Sequence, residues 1–184
     1  LAFAWGAISG VFLAILFNSL GTALLLVFLN QNDSASDDLL LILTVVLVAP
    51  IVEEFVKPLV MFQNSSVRSN IDEVEDGIVY GAACGLGFGA TENVLYGLSE
   101  DAVTVGYLGI LAVVVLRTVS SILLHLVATS FTGHGISKYL VEGKPFSIVI
   151  KYYFLAVLIH AGWNGAAVLS MIYGDQLGGL LLLF

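Results

Sequence analysis

Basic side chains are scarce in this chain: six Lys and Arg stand against fourteen Asp and Glu among 184 residues, a formal net charge of −8. With no basic patch to neutralise phosphates, binding to nucleic acid is excluded as a function class. The acidic excess says little about habitat, because many of the acids fall in loops. The single cysteine, Cys84, lies in an apolar, glycine-rich run. It cannot form an internal disulfide, so redox chemistry has no support, and it reads as a small packing residue. Charge of either sign is rare at 11% of residues, and no segment has the composition of a separate soluble domain.

What fills the chain instead is hydrocarbon. Hydrophobic residues make up 59% of it and the mean hydropathy is +1.02, with apolar runs far longer than a soluble core element needs. These features predict an all-α, polytopic transmembrane helical bundle forming a single domain over residues 1–184. Five spans follow from apolar length and polar punctuation, at roughly 3–29, 39–62, 77–98, 105–131 and 146–173. Each is long enough to cross about 30 Å of hydrocarbon at about 1.5 Å per residue. The chain opens "LAFAWG" without a methionine and closes on the short apolar "GGLLLLF", so both ends are expected to be cuts in a longer protein, with terminal helices missing. The linkers around Arg68, Lys138 and Lys144 carry basic residues, whereas "NQNDSASDD" and "SED" carry none. Basic loops favour the cytoplasm, which predicts that the first span starts inside.

Ionisable residues within spans are costly and by default mark function. Here they are Glu53, Glu54, Lys57, Glu92, Arg117, His125 and His160. Two residues on consecutive antiparallel helices share a depth when the turn lies midway between them. Glu53 and Glu92 centre near residue 73, Glu92 and His125 near 108, and His125 and His160 near 142, each in or close to a turn region. Four polar residues on four consecutive spans are therefore expected at similar depth. Gly77, Gly81, Gly85 and Gly89 recur every four residues along the third span, a smooth stripe that lets helix backbones approach closely in lipid.

The stretch "PIVEEFVKPL", residues 50–59, puts either Glu53 or Glu54 within helical reach of Lys57. Read alone, it could be a buried ion pair that only locks packing. One paired and one free carboxylate would instead leave a base for water. Pro50 and Pro58 are expected to loosen the helix and admit that water. His160 and Asn164 are four apart and share a helix face, so the asparagine could orient water or serve a developing oxyanion. "FGATEN" adds Glu92 and Asn93. A Glu, Glu, His, His set at one depth matches a catalytic zinc site, with N and O ligands, an open position and a carboxylate beside it. Two histidines argue against magnesium or calcium. Which acid is ligand and which is base stays open at this level. H-E-x-x-H is absent, "GAISG" misplaces the serine for a rhomboid-like site, and a pair of intramembrane aspartates is lacking.

E-E-x-x-K at Glu53, Glu54 and Lys57, F-x-x-x-E at Phe88 and Glu92 followed by Asn93, the separate His125, and H-x-x-x-N at His160 and Asn164 together resemble the PrsW family of membrane-embedded proteases. That family is related to the type II CAAX prenyl endopeptidases and bacteriocin-processing enzymes, whose pattern carries E-E-x-x-x-R and F-x-x-x-H. Lys57 and Glu92 set this chain apart from that group and put prenylated substrates in doubt. The resemblance covers about residues 50–165. It implies a multi-pass cell-membrane protease acting on a membrane-protein or peptide substrate within the lipid bilayer, the best-known role being the first cut of an anti-sigma factor. Carried over, Glu53 or Glu54 would activate water, Glu92, His125 and His160 would hold Zn2+ or that water, and Asn164 would stabilise the oxyanion, with Lys57 and Asn93 supporting.

A proton- or cation-coupled transporter could use the same buried Glu, Lys and His residues, but the chain lacks an internal repeat and paired broken helices. A non-catalytic scaffold is the third reading. Arg117 is expected near the end of its span, snorkelling or pairing with Glu100 and Asp101, and His134 is expected in a loop between glycines.

Overall fold

A computed structural model of the chain describes residues 1–30, 37–98 and 106–173. These residues are helical almost throughout. Helix α1 runs over residues 2–30, α2 over Asp37–Gln63, α3 is the short Ser65–Arg68, α4 is Val74–Gly97, α5 is Gly106–Leu140 and α6 is Ser147–Tyr173. Among the described residues, α1, α2, α5 and α6 are long and apolar enough to cross a membrane. Their lipid-facing sides carry large exposed apolar residues such as Phe12, Leu24, Leu116 and Leu158. The protein is a multi-pass membrane protein. The third marked span is the 24-residue α4, about 36 Å at the standard rise. Its Glu75, Asp76 and Glu92, with its many glycines, keep its hydropathy below that of the other four.

The glycine stripe does the work expected of it. A Cβ on Gly81 would come to 2.5 Å from the Thr129 carbonyl oxygen. On Gly77 or Gly85 it would collide with the carbonyl oxygens of Gly133 and His125. Helix α4 therefore packs backbone to backbone along α5, the most extensive helix pair among the described residues. On the opposite side, Gly87 and Cys84 meet the backbone of α1 at Phe3 and Gly6, which accounts for a small residue at position 84.

Two expectations change. The fourth span does not stop near residue 131: α5 continues to Leu140, and its 35 residues reach about 52 Å, well past the hydrocarbon. His134 is accordingly helical and not in a loop. Gly133 and Gly135 did not end the helix because each seats a close neighbour, the Gly77 backbone and the Tyr152 side chain. The His134 ring lies edge-on to Tyr152 with centroids 4.9 Å apart.

Helix α2 is irregular where its prolines predict. It opens as an α-helix over Asp37–Ile42, widens to a π-helical stretch over Leu43–Val48, returns to α over Ala49–Val56 and tightens to a 3-10 turn over Lys57–Leu59. The Ala49 N–H reaches back five residues to the Thr44 carbonyl. The next bond in that register would run from Pro50 to Val45, and proline has no N–H. Asn164 supplies the missing donor, its Nδ2 lying 2.9 Å from the Val45 carbonyl oxygen. Trp5 Nε1 donates to the Val56 carbonyl at 3.1 Å, and Tyr153 Oη to that of Ile51 at 2.8 Å. Side chains from α1 and α6 thus satisfy backbone groups that lipid could not.

Candidate active site

Between the two prolines, one helical turn of α2 carries Glu53, Glu54 and Lys57 inward, all three buried. Helix α5 brings His125 and α6 brings His160, both buried, and α4 brings Glu92. The expectation of a common depth is realised: the two imidazole rings meet edge to face with centroids 5.0 Å apart, and Glu92 Oε2 lies 2.9 Å from His125 Nε2.

The two adjacent glutamates have different surroundings. Glu54 is saturated. Its Oε1 accepts from Lys57 Nζ at 2.8 Å and His160 Nδ1 at 2.9 Å, and its Oε2 accepts from Thr129 Oγ1 at 3.0 Å. Glu53 is not: Oε1 accepts from Asn18 Nδ2 at 3.4 Å, while Oε2 is buried without a hydrogen-bond partner, 3.4 Å from the Lys57 ammonium and 3.9 Å from His160 Nε2.

Acceptor-only and donor-only neighbours fix the histidine tautomers. Glu92 accepts from His125 Nε2–H, and the Lys57 ammonium, 2.7 Å from Nδ1, faces a ring lone pair. Glu54 accepts from His160 Nδ1–H, leaving the Nε2 lone pair toward Glu53. Each histidine thus has one nitrogen held by a carboxylate and the other turned inward, the arrangement that carboxylates impose on metal-binding imidazoles.

The inward atoms suit a cation. One donor atom from each of Glu53, His125 and His160 lies within 4.8 Å of the others. The unpartnered Glu53 Oε2 and the His160 Nε2 lone pair face each other at 3.9 Å, a separation that two ligands can share around one zinc at about 2.0–2.2 Å each. The Lys57 ammonium already stands against this set, in contact with both glutamates and His125 and 4.3 Å above the Phe88 ring centroid. Two histidines and one glutamate are a ligand set known from catalytic zinc, so the residues present fit a metal ion that takes the His125 Nδ1 lone pair from the Lys57 ammonium.

Of the residues singled out in the sequence, Glu53, Glu54, Lys57, Glu92, His125 and His160 come together. Glu92 stands outside the set of three, with its Oε2 on His125, on Arg117 Nη2 at 3.0 Å and on Ser121 Oγ at 3.3 Å. Asn93 Nδ2 donates to Thr118 Oγ1 at 3.2 Å, and Asn164 is engaged at Val45. Arg117 belongs to Glu92 and to the Tyr96 ring, 3.7 Å from its centroid; Glu100 and Asp101 lie outside the described residues. Sequence reasoning passed over Asn18, Arg117, Ser121 and Thr129 as site residues. Arg117, Ser121, His125 and Thr129 recur every four residues, a polar stripe along α5 that periodicity alone could have exposed. Beside the cluster, an apolar cavity of about 330 Å³ opens between α2, α5 and α6, touching Glu54 and lined by Phe55, Phe62, Phe146 and Phe154 among others.

A profile described as PrsW family intramembrane metalloprotease matches residues 1–184. The chain is similar to "Protease PrsW" of Clostridioides difficile (strain 630), 37% identical over 112 residues, which cover 61% of this chain and 44% of that relative. The match thus spans less than half the relative's length. No solved structure matches the chain.

Proposed function

The chain belongs to the PrsW family of intramembrane metalloproteases, and from that premise we propose that it hydrolyses a peptide bond of a membrane-protein substrate at the Glu53, His125, His160 cluster. One observation carries the reading: Glu53 Oε2, buried and without a hydrogen-bond partner, faces the inward nitrogen of His160.

His125, His160 and Glu53 Oε2 would hold the metal, taken as zinc. When bound, zinc supplies a Lewis acid that lowers the pKa of water and polarises the scissile carbonyl. Glu53 Oε1, the other oxygen of that carboxylate, takes the proton from the attacking water. Glu54 and Glu92 orient the imidazoles of His160 and His125. Lys57 balances the charge of Glu53 and Glu54, a need that burial makes acute. Asn93 ties α4 to α5 through Thr118, and Asn164 keeps the π-helical stretch of α2 in place. The apolar cavity beside Glu54 gives a substrate side chain a route from lipid. On the family resemblance, the substrate is a single-span protein of the anti-sigma-factor kind.

The test is cleavage of a single-span substrate by purified protein in detergent or vesicles, with and without chelator, alongside a metal assay. Chelation should abolish cleavage and zinc should restore it. Cleavage that survives both chelation and Glu53→Gln would overturn the reading, as would ion uptake into vesicles that depends on Glu53.

A further inference from the structure

Helix α1 contributes to the cluster through a residue that no motif marks. Asn18 sits in "ILFNSLGT", on a helix whose neighbouring side chains Ile15, Leu16, Phe17 and Leu20 are exposed toward lipid. A carboxamide there is costly unless its polar atoms are used. Its Nδ2 is used, donating to Glu53 Oε1 at 3.4 Å. The flipped amide would set oxygen against carboxylate, so the orientation follows from the partner. Its Oδ1 is buried and accepts no hydrogen bond.

An unpartnered acceptor in that position needs a donor. The described residues offer none there, whereas the reaction consumes a molecule with two O–H groups. We infer that Asn18 holds the hydrolytic water beside Glu53: one O–H of the water donates to Asn18 Oδ1 and the other to Glu53 Oε1. This rests on the proposed peptidase reading and adds the residue that orients its nucleophile.

The proton balance is complete. The O–H bond facing Glu53 breaks as the water oxygen bonds to the scissile carbonyl carbon, and that proton passes to Glu53. It leaves on the amine when the C–N bond breaks, so one water and one peptide bond become a carboxylic acid and an amine, and the acid's remaining proton then passes to the amine to give carboxylate and ammonium. The water's second hydrogen stays on its oxygen during the attack, hydrogen-bonded to Asn18 Oδ1, and Nδ2 keeps Glu53 Oε1 turned to the same place. A 3.4 Å contact is long, as catalytic hydrogen bonds often are before substrate tightens them.

Asn18→Leu, similar in shape and at home in lipid, removes both polar atoms without burdening insertion. Asn18→Ser restores one donor and acceptor. The measurements are kcat and KM on a single-span substrate, zinc affinity of the purified protein by competition with a chromophoric chelator, and the thermal midpoint of the metal-free protein. Asn18→Leu should lower kcat by about a hundredfold at saturating zinc, with KM and thermal midpoint unchanged, and Asn18→Ser should recover part of the loss. A kcat for Asn18→Leu close to that of the parent protein overturns the inference. So does a fall in kcat that saturating zinc fully restores, or one accompanied by a lower thermal midpoint, which would make Asn18 a residue that only supports the ligand or the packing. A parent protein that binds zinc and cleaves no substrate overturns the peptidase reading itself, and the assignment of Asn18 with it.

Discussion

One imidazole separates the two adjacent glutamates: His160 Nδ1 lies 2.9 Å from Glu54 Oε1, while Nε2 of the same ring points toward Glu53 Oε2 at 3.9 Å. The first contact is a hydrogen bond and the second is too long to be one. Neighbouring residues on a helix point about 100° apart, so two carboxylates in sequence can serve opposite sides of one ring.

That division predicts unlike phenotypes for two identical substitutions. Glu53→Gln removes a proposed ligand and the proton acceptor together, so it should lose most zinc binding and lower the cleavage rate by about 10² to 10⁴ even at saturating zinc, the range a positioned proton acceptor contributes. Glu54→Gln should weaken zinc binding by about 10- to 100-fold, as loss of a carboxylate partner does at metal-bound histidines, and added zinc should recover part of its activity. Chelator competition and substrate cleavage, run on both proteins, separate them; equal phenotypes would refute the division.

Glu92 makes the same argument on α4. Its carboxylate holds His125 Nε2 and is itself held by Arg117 and Ser121. Glu92→Gln should leave one zinc per chain at saturating metal with affinity reduced about 10- to 100-fold, whereas His125→Ala should lose zinc altogether. If Glu92→Gln abolishes zinc binding even at saturation, Glu92 is a ligand.

The glycine stripe predicts a stability contrast. Gly81→Val places side-chain atoms against the Thr129 carbonyl, forcing α4 from α5 at a cost of about 1–3 kcal/mol or more. Gly162→Ala meets nothing within 4 Å and should be neutral or stabilising by up to about 1 kcal/mol. Thermal unfolding in detergent measures both, and a neutral Gly81→Val would contradict the close packing.

Asn164 separates a backbone role from an oxyanion role. Because Nδ2 donates to the Val45 carbonyl beside Pro50, Asn164→Ala should lower stability by about 1–3 kcal/mol, the cost of a buried acceptor left unpaired, and should lower kcat only in step with that loss of stability. A large fall in kcat at unchanged stability would assign Asn164 to the oxyanion.

The depth of the cluster was legible because antiparallel spans with short turns leave little freedom in register. Glu53, Glu92, His125 and His160 could be matched by counting from the turns. The π-helical stretch and 3-10 turn of α2 were legible only as proline positions. Which carbonyl Pro50 would orphan, and that Asn164 would cap it, depends on where α6 packs. The continuation of α5 past Gly133 was missed because those glycines read as helix ends, whereas each makes room for a neighbour.

The sequence by itself determined a multi-pass helical membrane protein and the residues able to carry chemistry in it, because hydrocarbon penalises every charge that has no purpose. It could not decide between Glu53 and Glu54. That choice depends on contacts between residues far apart in sequence: Thr129 and His160 hydrogen-bond Glu54, and Asn18, from a helix outside every motif, reaches Glu53 Oε1 while Oε2 has no hydrogen-bond partner. Identical side chains acquire different partners, and only tertiary packing supplies them.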